Sequence, residues 1–255
     1  MKEITSSQNS LLKECRKLLS RKYRLKNKQY LLEGKHLVAE ACQAEITLPY
    51  IFIDDLQLAS LPWLKNYQQS LILLPRELLI GLTEVESPQG IVAVAAMEET
   101  LPPARWSGRW LLLDRVQDPG NVGTMIRTAD AAGFAGVVLG KGSADRYSPK
   151  VLRALQGSQY HLPVLNGDLT ELLGKMAETL LIFGTNLDKQ ALDIRQAPRA
   201  ADLALIVGNE GQGVSKELLE QTDHNLYIPI IGKAESLNVG VAAGILMYYF
   251  TLFDS

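Results

Sequence analysis

Hydrophobic positions change period several times along the chain. In 11–28, "LLKECRKLLSRKYRLKNK", Leu11, Leu12, Cys15, Leu18 and Leu19 recur at helical spacing and predict a helix. "YLLEGKHLVAEACQAE" passes into a second helix. "YIFIDD" reads as a strand, and "LILLPRELLIGLTEVESPQGIVAVAAM" as strand, helix, turn and strand. These form an α/β unit ending near Met97. "EETLPPARWSG" then carries paired prolines and no periodicity, the mark of a linker.

The second half alternates strand and helix. "RWLLLD" precedes a helix near 121–133, "GVVLG" one near 149–157, and "HLPVL" one near 168–178. "LLIFGTN", "LALIVG" and "NLYIPI" are further short apolar runs. Runs that are apolar on both faces and alternate with helices predict a parallel sheet. The fold class is therefore α/β. The domains are expected at 1–98 and 109–255, joined by a linker over 99–108. "VAAGILMYYFTLF" is almost wholly apolar, and the run 239–250 is too short to span a bilayer.

Composition narrows the function. The 255 residues are 47% hydrophobic and 21% charged, an ordinary globular balance. The net charge of −2 does not announce nucleic acid, but the distribution of charge says more. Lys13, Arg16, Lys17, Arg21, Lys22, Arg24, Lys26 and Lys28 crowd the first helical stretch, with Glu14 its only acid. Such a run is either a solvated face or a phosphate-neutralising surface. Arg21, Lys22, Arg24, Lys26, Lys28 and Lys35 are the candidate nucleic-acid contacts. The two cysteines argue against disulfides and cysteine-rich zinc sites, and the three histidines lack ligand spacing. No metal is expected. The opening residues lack a secretory apolar core, so a cytoplasmic location is expected.

Ligands of parallel α/β sheets gather beyond the carboxyl ends of the strands. Three such ends are rich in glycine and polar residues. In "DRVQDPGNVGTMIRTADAAG", Asp118-Pro119-Gly120 makes a turn, Asn121 can cap the next helix, and Arg127 lies within it. In "LIVGNEGQGVS", the glycines offer backbone amides, yet Val214 and Lys216 break the two standard phosphate fingerprints. In "IPIIGKAESLNVG", either Ser236 or Asn238 can cap the final helix and leave the other free.

With these three stretches in order, the chain resembles the SpoU/TrmH family of SPOUT methyltransferases. The N-terminal half is similar to the substrate-binding domain of ribosomal-RNA members, through "YLLEGKHLVAEA" and "SPQGIVAV". The resemblance implies methyl transfer from S-adenosylmethionine to a ribose 2′-hydroxyl in RNA, foremost large-subunit ribosomal RNA. The alternatives are a transfer-RNA target and a non-catalytic RNA-binding or assembly factor of the same fold. It implies a deep trefoil knot and a homodimer with its site at the subunit interface. It also implies cofactor contacts from Gly208, Ile228 and Leu237, with Thr185 and Asn186 beside them. Asn121, Arg127, Glu210, Ser236 and Asn238 match the polar active-site positions. A guanidinium donates hydrogen bonds and keeps its proton to above pH ~12. Arg127 is thus expected to orient phosphate and stabilise charge on the attacking oxygen, although family proposals make it the base. Gly240 and Leu155 depart from the family's serines.

Overall fold

The computed structural model describes residues 2–186 and 191–252. The first half runs β1 (Lys2–Glu3), α1 (Ser10–Lys17), α2 (Arg21–Asn27), β2 (Gln29–Glu33), α3 (Lys35–Gln43), β3 (Tyr50–Ile53), α4 (Asp55–Leu58), β4 (Leu71–Leu73), α5 (Arg76–Ile80) and β5 (Ile91–Ala96). Its five strands lie in the order β1-β4-β3-β5-β2, with β5 antiparallel to β2 and β3.

The second half runs β6 (Arg109–Leu113), α6 (Pro119–Ala131), β7 (Gly136–Gly140), α7 (Pro149–Leu155), β8 (Val164–Gly167), α8 (Leu169–Met176) and β9 (Leu181–Thr185). It continues with β10 (Leu192–Asp193), β11 (Leu203–Val207), α9 (Lys216–Leu219), β12 (His224–Tyr227) and α10 (Val239–Leu252). Seven strands pair in the order β10-β12-β9-β11-β6-β7-β8, every pair parallel. β6 and β11, at the centre, are nearly all buried, which is why they read as unbroken apolar runs. The apolar run ending the sequence forms α10; its last residue, Phe253, lies outside the described residues.

Two compact units form. One comprises 2–99 with 145–160, the other 100–144 with 161–252. The single boundary expected in the linker is therefore replaced by three passages of the chain. The reason is apolar: Leu152 of α7 joins the core of the first unit with Leu32, Leu37 and Ile51, and Tyr147 and Tyr160 pack beside it. The Tyr30 and Tyr160 hydroxyls bond at 2.9 Å.

The basic stretch is two helices, not one. α1 ends where Leu18 turns into the core, and Ser20 begins α2. The break leaves carbonyls without helical partners. Arg24 takes them: its Nη1 donates to the oxygens of Leu18 (2.9 Å) and Leu19 (2.7 Å). Its Nη2 donates to Asp145 Oδ2 at 2.7 Å. Arg24 is 4% exposed, so it is corrected from RNA contact to internal tie. Removing one partner of a buried pair strands the other charge, so Arg24→Ala should cost about 3 kcal/mol in chemical denaturation. A loss under 1 kcal/mol would show that water replaces the tie.

Candidate active site

The carboxyl ends of β9, β11 and β12 open onto a cavity of about 610 Å³ in the second unit. Gly208, Glu210, Ile228, Ser236, Leu237 and Asn238 line it, as do Thr185 and Asn186. Eight of the ten residues singled out for catalysis and cofactor binding thus share one cavity wall. The other two, Asn121 and Arg127, lie on α6.

Asn121 is not the helix cap. Asp118 is, its Oδ1 accepting from the Asn121 amide at 2.8 Å, with Pro119 at the first helical position. That leaves the Asn121 side chain free to join a chain of bonds. Its Nδ2 donates to Glu210 Oε1 at 3.1 Å, and its Oδ1 accepts from Asn238 Nδ2 at 3.1 Å. Asn238 Oδ1 in turn accepts from the amides of Gly240 (2.9 Å) and Val241 (3.3 Å) and so caps α10. The chain fixes both amide orientations, because an ionised carboxylate only accepts and helix amides only donate. Asn238 is therefore both cap and site residue, where the sequence offered a choice between Ser236 and Asn238.

Glu210 also accepts from the backbone amides of Asp118 (3.2 Å) and Gln117 (3.4 Å). Burial pushes its carboxyl up, but the Asn121 amide and the backbone N–H groups outweigh that and hold it below the usual carboxylate range. Its bonds are thus fully made above the ordinary range and are lost as pH falls through the lowered value. At neutral pH Glu210 is an anion that orients Asn121.

Gly240, unexplained by the sequence, is buried against this chain. A Cβ there would stand 3.2 Å from Asn238 Oδ1 and 3.6 Å from Asn121 Oδ1. Glycine gives the two amides room to meet. Leu155 is fully buried at the end of α7, where an apolar side chain fits.

Arg127 is exposed on α6 and does not line the cavity. Of the remaining RNA candidates, Arg21, Lys22, Lys26 and Lys28 are exposed and Lys35 is half-buried. Among the described residues no group of acidic, histidine or cysteine side chains is placed to hold a metal. Among them, too, no helix is long and apolar enough to cross a membrane. Asn209, to which the sequence assigned no role, also lines the cavity, and Asp114 and Arg115 stand behind its loop. Asp114 is a buried acid directly after an apolar strand, and that position was the available signal.

Residues 109–248 match the model of the SpoU rRNA Methylase family. The chain belongs to the SpoU rRNA methylase family. Residues 9–93 match the MRM3-like substrate binding domain. A Bacillus subtilis relative, the 23S rRNA (guanosine(2553)-2′-O)-methyltransferase RlmP, is 45% identical over 98% of this chain and 99% of its own. The AdoMet-bound rRNA methyltransferase of Sinorhizobium meliloti superposes with a TM-score of 0.89 at 27% identity, covering 100% of this chain and 98% of that one. The SpoU methyltransferase AviRb of Streptomyces viridochromogenes, in complex with AdoMet, gives 0.85 at 26% identity, over 96% and 98%.

Proposed function

We propose that this SpoU-family chain methylates a ribose 2′-hydroxyl of large-subunit ribosomal RNA, using S-adenosylmethionine. The cavity carries the reading: it unites the expected cofactor positions with the Glu210–Asn121–Asn238 chain. The end-to-end similarity to a 23S ribosomal-RNA enzyme supports the target class, and the substrate-binding domain favours ribosomal over transfer RNA. The cytoplasm, where ribosomal RNA is made in bacteria, is the proposed location.

The cavity fits the cofactor. Its volume lies in the range of small-molecule sites. Gly208 lines it with bare backbone, and an added Cβ there would overlap the main chain of Gly213 and Val214 on the same wall. Gly208, Ile228 and Leu237 would hold S-adenosylmethionine, whose sulfonium supplies the methyl group. The chain's own work is to orient the ribose and steady the charge that develops on its oxygen. Glu210 acts through Asn121 on Asn238, and Ser236 adds a hydroxyl on the same wall.

A second copy completes this reading. Val241, Ile245, Tyr248 and Leu252 are exposed along α10, at spacings that place them on one helical face. Such a stripe suits burial against another copy. The knot is proposed with it, since β11 lies between β6 and β9 while α10 packs on α6.

The decisive experiment is tritiated methyl transfer to RNA from a strain lacking this protein, followed by mapping of the label. Label on a ribose of large-subunit RNA is expected. Label confined to transfer RNA would move the target, and no label on any RNA would overturn the reading. The RNA surface has its own test. Glutamine at Arg21, Lys22, Lys26 and Lys28 should lower the salt slope of binding by about 0.7–0.9 for each phosphate left unneutralised. An unchanged slope would make this a solvated face.

A further inference from the structure

We propose that Arg115, seated on Asp114, is a positioning residue that holds the glycine-rich loop 208–213 in its cofactor-binding form. Asp114 directly follows β6 and is 6% exposed. Both its oxygens are committed. Oδ1 accepts from Arg115 Nε at 3.0 Å; Oδ2 accepts from Arg115 Nη2 at 3.1 Å and from the Ser215 amide at 2.8 Å. From this seat the guanidinium reaches across to the loop. Nη1 donates to Gln212 Oε1 at 2.9 Å and Nη2 to the Gly213 carbonyl at 3.4 Å. The Arg115 carbonyl accepts from Asn209 Nδ2 at 3.0 Å.

Asn209 closes the loop on itself. Its Oδ1 accepts from the amides of Gly211 (3.0 Å) and Gln212 (3.1 Å). Its backbone exchanges two bonds with Gly213, at 3.1 and 2.9 Å. One residue thus grips the loop at its start through its carbonyl and at its end through its side chain. Arg115 has φ of +55°, a left-handed conformation that a non-glycine residue keeps only where its surroundings impose it. A planar fork can serve Asp114, Gln212 and Gly213 together; a lysine ammonium has no such geometry. Every loop residue from Gly208 to Gly213 lines the cavity, while Arg115 does not. It therefore acts through the loop.

The inference rests on the cavity being the S-adenosylmethionine site, and the test separates the two. The parent, Arg115→Ala and Arg115→Lys are titrated calorimetrically with S-adenosylmethionine. Each is also melted, and amide hydrogen exchange is followed at 209–213 without ligand. If Arg115→Ala leaves the loop competent about a tenth of the time, affinity falls about tenfold. Faster exchange confined to the loop and turnover little changed at saturating cofactor are expected with it, as is a melting temperature lowered by the stranded Asp114 charge but still above that of the titration. Lysine should recover only a small part of the affinity. Equal affinity and equal loop exchange in parent and Arg115→Ala would overturn the inference. So would full rescue by lysine, since charge alone would then suffice. A parent that exchanges slowly in the loop but binds no S-adenosylmethionine would overturn the cavity assignment, and with it the functional part of this inference.

Discussion

Alanine at position 208 is expected to weaken S-adenosylmethionine binding by up to about 100-fold while the chain still folds. Gly208 is buried directly after β11, which is paired on both sides, with β6 and β9. A Cβ there would overlap the backbone of Gly213 and Val214. A flexible side chain can swing away from such a clash; main chain cannot. The strand is fixed, so the loop must move, and overpacking of this kind costs about 1–3 kcal/mol. A loss of about 2.7 kcal/mol in binding corresponds to the 100-fold effect. Calorimetric titration beside a thermal melt measures both sides of the claim. Gly211→Ala is the control, because its added carbon meets only Asn209 Oδ1, at 3.7 Å. Parent-like affinity in Gly208→Ala would mean that the loop yields without touching the cofactor.

Alanine at Arg127 should have the opposite signature: methyl transfer falls at least about 100-fold, with cofactor affinity unchanged. Removing one donor that steadies a developing oxyanion typically costs about 10²–10³ in rate. Arg127 does not line its own chain's cavity, so cofactor binding has no reason to depend on it. If a second copy supplies this side chain, two defective variants should complement. Mixing Arg127→Ala with Gly208→Ala under exchange of subunits would pair an intact cavity with an intact arginine. Activity then reappears, at no more than about half per mixed dimer. Retained turnover in Arg127→Ala alone would remove the residue from the reaction. A dead mixture would place arginine and cavity in one copy.

The sequence showed the parallel sheet because its strands are buried on both faces, and burial of that kind leaves an unbroken apolar run. Gly208, Glu210 and Asn238 were legible for a related reason: each sits just past a strand end or at a helix start. What could not be read was partnership. Arg24 belongs to the same basic run as Lys22 and Lys26, and only the break between α1 and α2 turns it inward. Asn121 resembled a cap because Asp118, three residues earlier, fits the same pattern. Gly240 looked like a lost hydroxyl, because the two amides it accommodates lie 117 residues apart. The Arg24 and Gly240 misses involve segments 121 and 117 residues apart, which periodicity does not encode, whereas Asn121 lost the cap to a rival three residues away.

The excursion of 145–160 into the first unit bears on the order in which the protein can assemble as it is made. The first 99 residues emerge from the ribosome without the segment that fills the slot beside Leu32 and Leu37 and neutralises Arg24. That unit stays incomplete until β6, α6 and β7 have also been synthesised. It is therefore not a cassette. A gene fusion cut at the proline-bearing stretch would transplant a half-built body with an apolar cleft and an unneutralised guanidinium. Recombination between relatives would succeed only where residues 145–160 travelled with their N-terminal host.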